Sequence, residues 1–408
     1  MNMKLRLIIM NFLQYAIWGA WLISLGAYLG SLDFSGGQIG SFFATMGIAS
    51  LFMPALVGIV ADRWIPAQKV LGICHLIAAS FMIAAAFQTT YETLYPLILC
   101  SVMFYMPTIA LSNSVAFNAL SKAGMDTVKD FPPIRVFGTI GFICAMWIVD
   151  LFQLGLTPNQ MFMSAGLGIA LGLYAFTMPK CDLDKNADKK NWVDTLGLRA
   201  FALFKQKKMA IFFIFSMLLG MSLQVTNAFA DGYIRSFGSN PIFQGTFGVD
   251  HSVMLISLSQ ISETLCILLI PFFLKRFGIK KVMLISMFAW VLRFALLGAG
   301  DPGAGVWMFV LSMLVYGVAF DFFNISGALF VEKETNPSIR SSAQGVFMIM
   351  TNGFGAFIGS YAAGAIVDAY GWPNSWYIFA GFSLVVALMF ALVFKYKHDP
   401  KAIIAVNH

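Results

Sequence analysis

Stretches of about twenty mostly apolar residues follow one another along the whole chain, and that feature alone removes most folds from consideration. A helix of about 20 residues spans the roughly 30 Å hydrocarbon core of a bilayer. Such segments lie near 7–30, 39–60, 69–88, 93–117, 132–154 and 159–178, and again near 209–234, 251–273, 281–299, 305–330, 341–367 and 375–395. They predict an all-α membrane protein with twelve transmembrane helices. Composition leaves little room for anything else. Hydrophobic residues make up 59% of the chain and charged ones 11%, against about 25% charged in soluble domains.

The positions of the charges predict which way the helices run. Lys4, Arg6, Arg63, Lys69, Lys122 and Lys129 fall on one side. The long central loop, Lys275, Arg276, Lys280, Lys281, Lys333, Arg340, Lys395, Lys397 and Lys401 fall there too, whereas only Arg235 stands clearly in a loop opposite. By the positive-inside rule both termini are expected in the cytoplasm. The formal net charge of +7 therefore reports membrane orientation, and no nucleic-acid partner is expected. Lys4 and Arg6 ahead of an apolar run resemble the start of a signal peptide, but the run has full span length, so we expect an uncleaved first helix. The five cysteines are odd in number and mostly lie in apolar stretches. They offer neither a disulfide framework nor metal-ligand spacing, and no cofactor motif is evident.

The stretch "PKCDLDKNADKKNWVDTLGLRAFALFKQKK" is the one long polar interruption. It divides the chain into six spans and six, so the expected organisation is an N-terminal bundle over 1–178, a cytoplasmic linker over 179–208 and a C-terminal bundle over 209–408. The halves echo one another. "ADRWIPAQKV" follows the second span and "LKRFGIKKV" the eighth, with Arg63 and Arg276 213 positions apart. "PIR" opens the fifth span and "SIR" the eleventh, with Arg135 and Arg340 205 apart. Two offsets near half the chain length indicate a duplicated six-helix unit, and "GIVADRW" (58–64) resembles the loop motif of major facilitator transporters. That resemblance implies parallel six-helix repeats around a cavity near the midplane of the membrane.

Polar groups are costly in hydrocarbon, about 2.5 to 3.5 kcal/mol for a central charge on insertion scales, so their pattern is informative. The fifth span carries Arg135, Thr139 and Phe142 at i, i+4, i+7; the seventh carries Gln224 and Asn227 at i, i+3; the eighth carries Gln260 and Glu263 at i, i+3. The tenth carries Tyr316 and Phe320 at i, i+4, with Asp321 and Asn324 beside them. Helical spacing puts each set on one face. Asn11, Gln14, Trp18 and Trp21 mark the first span as a further possible wall.

Plainer readings compete with these. A lone Asn11, Gln14, Asn113 or Asn352 is read as an interhelical clasp, and rings at i, i+4 are more often packing in a chain with 41 Phe. Arg135 is near enough to the cytoplasmic end to snorkel. Arg293 is expected to snorkel or to hold an ion pair. His75, Asp150 and Asp368 stand towards span ends, near water, and receive no role. Glu263 and Asp321 are different. They lie well inside their spans, and a carboxyl in oil avoids its desolvation cost by keeping a proton that it releases when water or a cation approaches. That is the chemistry of a proton relay.

Over nearly its whole length the chain resembles the bacterial nucleoside permeases of the nucleoside:proton symporter family. The resemblance is carried by "NFLQYAIWGAWL", "FMPALVGIVADRW", "DFPPIRVFGTIGF", "AIFFIFSMLLGMSLQVTN", "SQISETLCILLIPFF", "YGVAFDFFNISG" and "SAQGVFMIMTNGFG". It implies proton-driven uptake of purine and pyrimidine nucleosides across the bacterial inner membrane by a protein that is monomeric and not an enzyme. It also implies nucleoside contacts at Arg135, Thr139, Phe142, Gln224, Asn227, Gln260, Glu263, Tyr316 and Phe320, with the coupled proton on Glu263 or Asp321. A symporter for sugars or free nucleobases, a membrane-embedded enzyme and a passive channel are the alternatives. With His only at 75, 251, 398 and 408, and neither HExxH nor GxSxG present, two catalytic signatures are excluded.

Overall fold

The structure, a computed structural model, describes residues 2–183, 198–336 and 339–396, and every regular element among them is helical. Ser338 of the repeated "SIR", residues 184–197 of the expected linker with Lys185, Lys189 and Lys190, and Lys397, His398, Lys401 and His408 lie outside the described residues.

The first helices are α1 (Met3–Gly19), α2 (Leu25–Ser31), α3 (Gly36–Arg63), α4 (Ala67–Ala86), α5 (Tyr91–Lys122), α6 (Thr127–Leu151) and α7 (Asn159–Ala175). After a 3-10 turn over Leu198–Lys205 come α8 (Lys207–Ser236), the short α9 (Phe247–Asp250), α10 (Ser252–Ala299) and α11 (Val306–Glu334). The last run is α12 (Arg340–Met348), a π-helical segment (Ile349–Gly355), α13 (Ala356–Tyr370) and α14 (Asn374–Val393). Nine helices among the described residues are long and apolar enough to cross a membrane.

Local sequence shapes three of these elements. The first span is interrupted after Gly19, where the Trp18 carbonyl accepts from the N–H groups of both Trp21 and Leu22 before α2 resumes. This leaves α1 with 17 residues, about 26 Å at 1.5 Å per residue. α7, also 17 residues, begins directly after Pro158, where the expected sixth span begins; proline lacks the N–H a helix interior needs. α10 consists of two helical arms, over the two spans expected there, that meet where the backbone folds back at Gly278 (φ 75°, ψ 167°), in a region open to glycine and strained for other residues. Ser259 on its first arm accordingly meets Arg293 on its second, Nη1 to Oγ 3.4 Å.

The chain divides into two compact units, one of Met1–Thr195 with Asn227–Gly232 and one of Leu196–Thr226 with Tyr233–His408. In the first, α1 runs along α6 at very short range. A Cβ on Gly141 would lie 2.2 Å from the Phe12 carbonyl oxygen, and one on Gly19 would lie 2.3 Å from that of Phe142. Small residues of this kind let membrane helices gain van der Waals contact where lipid supplies no hydrophobic drive. A polar clasp ties α1 to α4 and α5: Gln14 donates to Thr108 Oγ1 (2.7 Å), shares a hydrogen bond with His75 Nε2 (2.8 Å), and accepts from the Tyr105 hydroxyl at its carbonyl (2.7 Å).

In the second unit α10 and α11 pack along their lengths. A Cβ on Gly317 would come within 2.5 Å of the Ser262 carbonyl oxygen, and the Ser262 hydroxyl accepts from the Gly317 N–H at 3.3 Å while donating to the Leu314 carbonyl. α8 approaches the π-helical segment through Gly220, whose Cβ would sit 2.2 Å from the Thr351 carbonyl oxygen. Phe212, Phe323, Phe330 and Phe347 fill the core between these helices. In both units large apolar side chains such as Phe87, Leu151, Leu268 and Leu392 are exposed, an exterior suited to hydrocarbon. Ion pairs collect at helix ends: Lys4–Asp130 (2.7 Å), Lys122–Asp182 (2.8 Å) and Lys208–Glu334 (2.6 Å).

Candidate functional site

The expected site residues fall into two local groups. In the first unit, Arg135 and Thr139 are half-buried and Phe142 is buried on α6. The Arg135 guanidinium lies 3.9 Å from the centre of the Tyr15 ring. Gly138 makes that contact possible, since a Cβ there would meet the Tyr15 ring at 2.6 Å and Arg135 Nη1 at 2.8 Å. The Phe142 ring stands edge-on to Trp18, centroids 6.5 Å apart, and Trp18 leans on Tyr105 at 5.7 Å. α6 thus presents a cation, a hydroxyl and a ring in line along α1. Asn227, half-buried on α8, also groups with this unit.

In the second unit, Gln260 and Glu263 are half-buried one turn apart on α10, and Gln224 is buried on α8. On α11 the Tyr316 and Phe320 rings are parallel within 3° at a centroid separation of 5.6 Å. Trp290 meets Tyr316 edge-on at 6.1 Å and 90°. Asp321 is 5% exposed, and its Oδ2 has no hydrogen-bond partner among the described residues. Glu263 is near enough for its charge to act on both Asp321 and Tyr316. α10 and α11 therefore bring two carboxyls, an amide and two stacked rings into one neighbourhood. A group of three or more His, Cys, Asp or Glu able to hold a metal is absent among the described residues.

Arg293 does what neither expectation described. It is 1% exposed and lies 4.7 Å from the centre of the Tyr316 ring. Its Nη1 donates to the Ser312 carbonyl at 2.7 Å, and its own carbonyl accepts from the Ser312 hydroxyl at 3.0 Å. No carboxylate of the described residues pairs with it. A buried guanidinium is held here by a π face and backbone dipoles. His75 and Asp150, expected near water, are each 1% exposed. For His75 the reason is its hydrogen bond to Gln14, on another helix and beyond the reach of periodicity.

The sequence reading missed a narrow crevice beside Phe320, to which Trp290 from α10 and Asn352 from the π-helical segment contribute. Asn324 was noted only as a neighbour of the ring pair. Asn352 lies within the π-helical segment and reaches this place from another helix, which periodicity within one span does not reveal.

A family model described as nucleoside H+ symporter matches residues 1–399. The chain is 52% identical over 406 residues to the nucleoside permease NupG of Escherichia coli (strain K12), covering 98% of this chain and 97% of that one. It is 47% identical over 411 residues to the xanthosine permease of the same organism, covering 99% and 98%. A crystal structure of the nucleoside transporter NupG superposes with a TM-score of 0.92 at 52% identity, over 97% of this chain and all of that one. A D-xylose–proton symporter at 13% identity and a TM-score of 0.71, covering 98% of each chain, shares the fold. These relatives are named permeases and transporters, not enzymes, and the chain belongs to the nucleoside H+ symporter family.

Proposed function

We propose that this protein carries purine and pyrimidine nucleosides together with protons into a bacterial cell by alternating access. The observation that carries the reading is the Tyr316–Phe320 stack with the buried Asp321 carboxyl and Glu263 beside it. A flat heterocycle gains about 1–3 kcal/mol from stacking on an aromatic ring, and a carboxyl that exchanges its proton inside a membrane protein is the means of coupling. One proton crossing 100 mV supplies about 2.3 kcal/mol, enough to concentrate a neutral solute roughly 50-fold.

In this reading Arg135, Thr139, Phe142 and Asn227 of the first unit contact the nucleoside, as do Gln224, Gln260, Glu263, Tyr316 and Phe320 of the second. Amide and hydroxyl groups bond the base and ribose, and Glu263 or Asp321 carries the proton. The organisation proposed is twelve crossings: the nine long helices with α10 counted twice, plus α7 and the α1–α2 pair. They form bundles over 1–178 and 209–408, joined by 179–208. The inner membrane, a monomeric state and cytoplasmic termini complete the proposal, the last supported by the positive-inside rule.

The test is uptake of radiolabelled uridine into proteoliposomes with and without a protonophore. Concentrative uptake that the protonophore abolishes, and that adenosine but not lactose or uracil inhibits, is the expected result. Uptake insensitive to the proton gradient, or inhibited equally by lactose, would overturn it.

A further inference from the structure

The crevice in the second unit lies against Phe320 and is walled by Trp290, Asn324, Thr351 and Asn352, among others. Asn324 stands one turn beyond Phe320 on α11. Its carboxamide makes no hydrogen bond to a described residue, and that of Asn352 has only a 3.8 Å contact to the Met348 sulfur. Half-buried amides inside a membrane protein normally find each other or the backbone. Here two face one crevice with their hydrogen-bonding capacity unused by the protein. The wall that carries Asn352 is also fixed in place: the π-helical segment of Ile349–Gly355 is pinned where Gly220 of α8 admits the Thr351 carbonyl at a range no Cβ would allow.

We infer that Asn324 and Asn352 form a subsite for the hydrogen-bonding edge of a nucleobase stacked on Phe320. This rests on the reading of Tyr316 and Phe320 as the nucleoside platform and extends it to the groups that read the base. A carboxamide sets an acceptor next to a donor. That pair complements the adjacent N–H and C=O of a keto base. Turned by 180° it complements the adjacent ring nitrogen and amino group of an amino base. Two amides therefore serve uracil-like and adenine-like edges alike. Aromatic walls at Trp290 and Phe320 favour a flat edge over the puckered, many-hydroxyl surface of a sugar.

The experiment compares inhibition of labelled uridine uptake by 3-methyluridine, whose base edge is blocked, and by 2′,3′-dideoxyuridine, whose sugar edge is stripped. It uses wild type, Asn324→Ala, Asn352→Ala and the double variant. Each neutral hydrogen bond is worth roughly a factor of 2 to 10 in affinity. In wild type 3-methyluridine should compete about tenfold less well than uridine. Each single variant should narrow that gap by about threefold and the double variant should close it, with the dideoxyuridine ratio unchanged. A gap that survives in transporting variants overturns the proposal, and so does a collapse of the dideoxyuridine ratio instead, which would give the amides to the sugar. Such ratios do not depend on how much protein reaches the membrane. Where an Ala variant fails to accumulate, the near-isosteric Asn→Leu change reads the same ratio. Phe320→Ala is the separate control: if it leaves the uridine KM unchanged, the platform reading fails irrespective of the amides.

Discussion

The Arg293 guanidinium covers one face of the Tyr316 ring at 4.7 Å, and it reaches that ring from the second arm of α10 while gripping the Ser312 carbonyl one turn earlier on α11. A desolvated cation–π contact is worth about 2 kcal/mol. Arg293→Met should therefore raise the KM for uridine about tenfold with a smaller effect on Vmax, and Arg293→Lys should fall between. The effect should vanish in a Tyr316→Ala background, because coupled residues are not additive. Equal losses in both backgrounds, measured as initial uptake rates, would show that Arg293 does not act through Tyr316.

Asp321 is buried with one oxygen unpartnered among the described residues. Asp321→Asn and Glu263→Gln each remove a carboxyl proposed to carry the coupled proton. At least one should reduce the accumulation ratio from roughly 50-fold to unity, while exchange of labelled for unlabelled uridine at equal concentrations continues. In wild type, uptake should rise as external pH is lowered at fixed internal pH; in the uncoupled variant it should be flat. If both variants still concentrate uridine in a pH-dependent manner, neither carboxyl couples transport.

The α1–α6 contact predicts a stability difference between glycines. Gly141→Ala puts a methyl group 2.2 Å from the Phe12 carbonyl oxygen, whereas a Cβ on Gly166 meets nothing within 4 Å. Overpacking of this kind costs about 1–3 kcal/mol. The Gly141 variant should melt several degrees lower in detergent and the Gly166 variant should match wild type; equal melting temperatures would contradict the close approach.

Cys181 lies beyond α7, outside the membrane spans, and its N–H donates to Gln68 Oε1 at 2.9 Å. Burial pushes its thiol pKa up, only partly offset by the nearby Gln68 and Lys122. Less thiolate is then present at neutral pH, and thiolate is the reactive form. In a variant retaining only this cysteine, maleimide labelling should be slower than for a free thiol and should accelerate as pH rises past the ordinary thiol range. Rapid labelling at neutral pH would contradict the burial.

The stripes on α6, α10 and α11 were legible in the sequence because each is a property of one regular helix, and period 3.6 is all that is needed to see Arg135 with Phe142, or Tyr316 with Phe320. Contacts between helices were not. Arg293 looked like a candidate for an ion pair or for snorkelling because nothing in its own span reveals the Tyr316 face opposite. His75 looked peripheral because its partner is Gln14, 61 residues away. Asn352 suggests only a lone clasp because nothing in its own span reveals the Phe320 crevice it lines. The short first span escaped notice for a similar reason: "AIWGAWLIS" is apolar throughout, and hydropathy does not register a backbone that turns within it.

A single residue, Gly278, connects the arm that bears Gln260 and Glu263 to the arm that bears Trp290 and Arg293. A link that short has almost no slack, so the arms are yoked: a sliding of one along its axis drags the other. Because Arg293 lies over the Tyr316 ring, a sliding of the first arm would be felt at the ring pair through the second. The two arms and the ring pair are thereby linked as parts of one lever, with the glycine bend as its fulcrum.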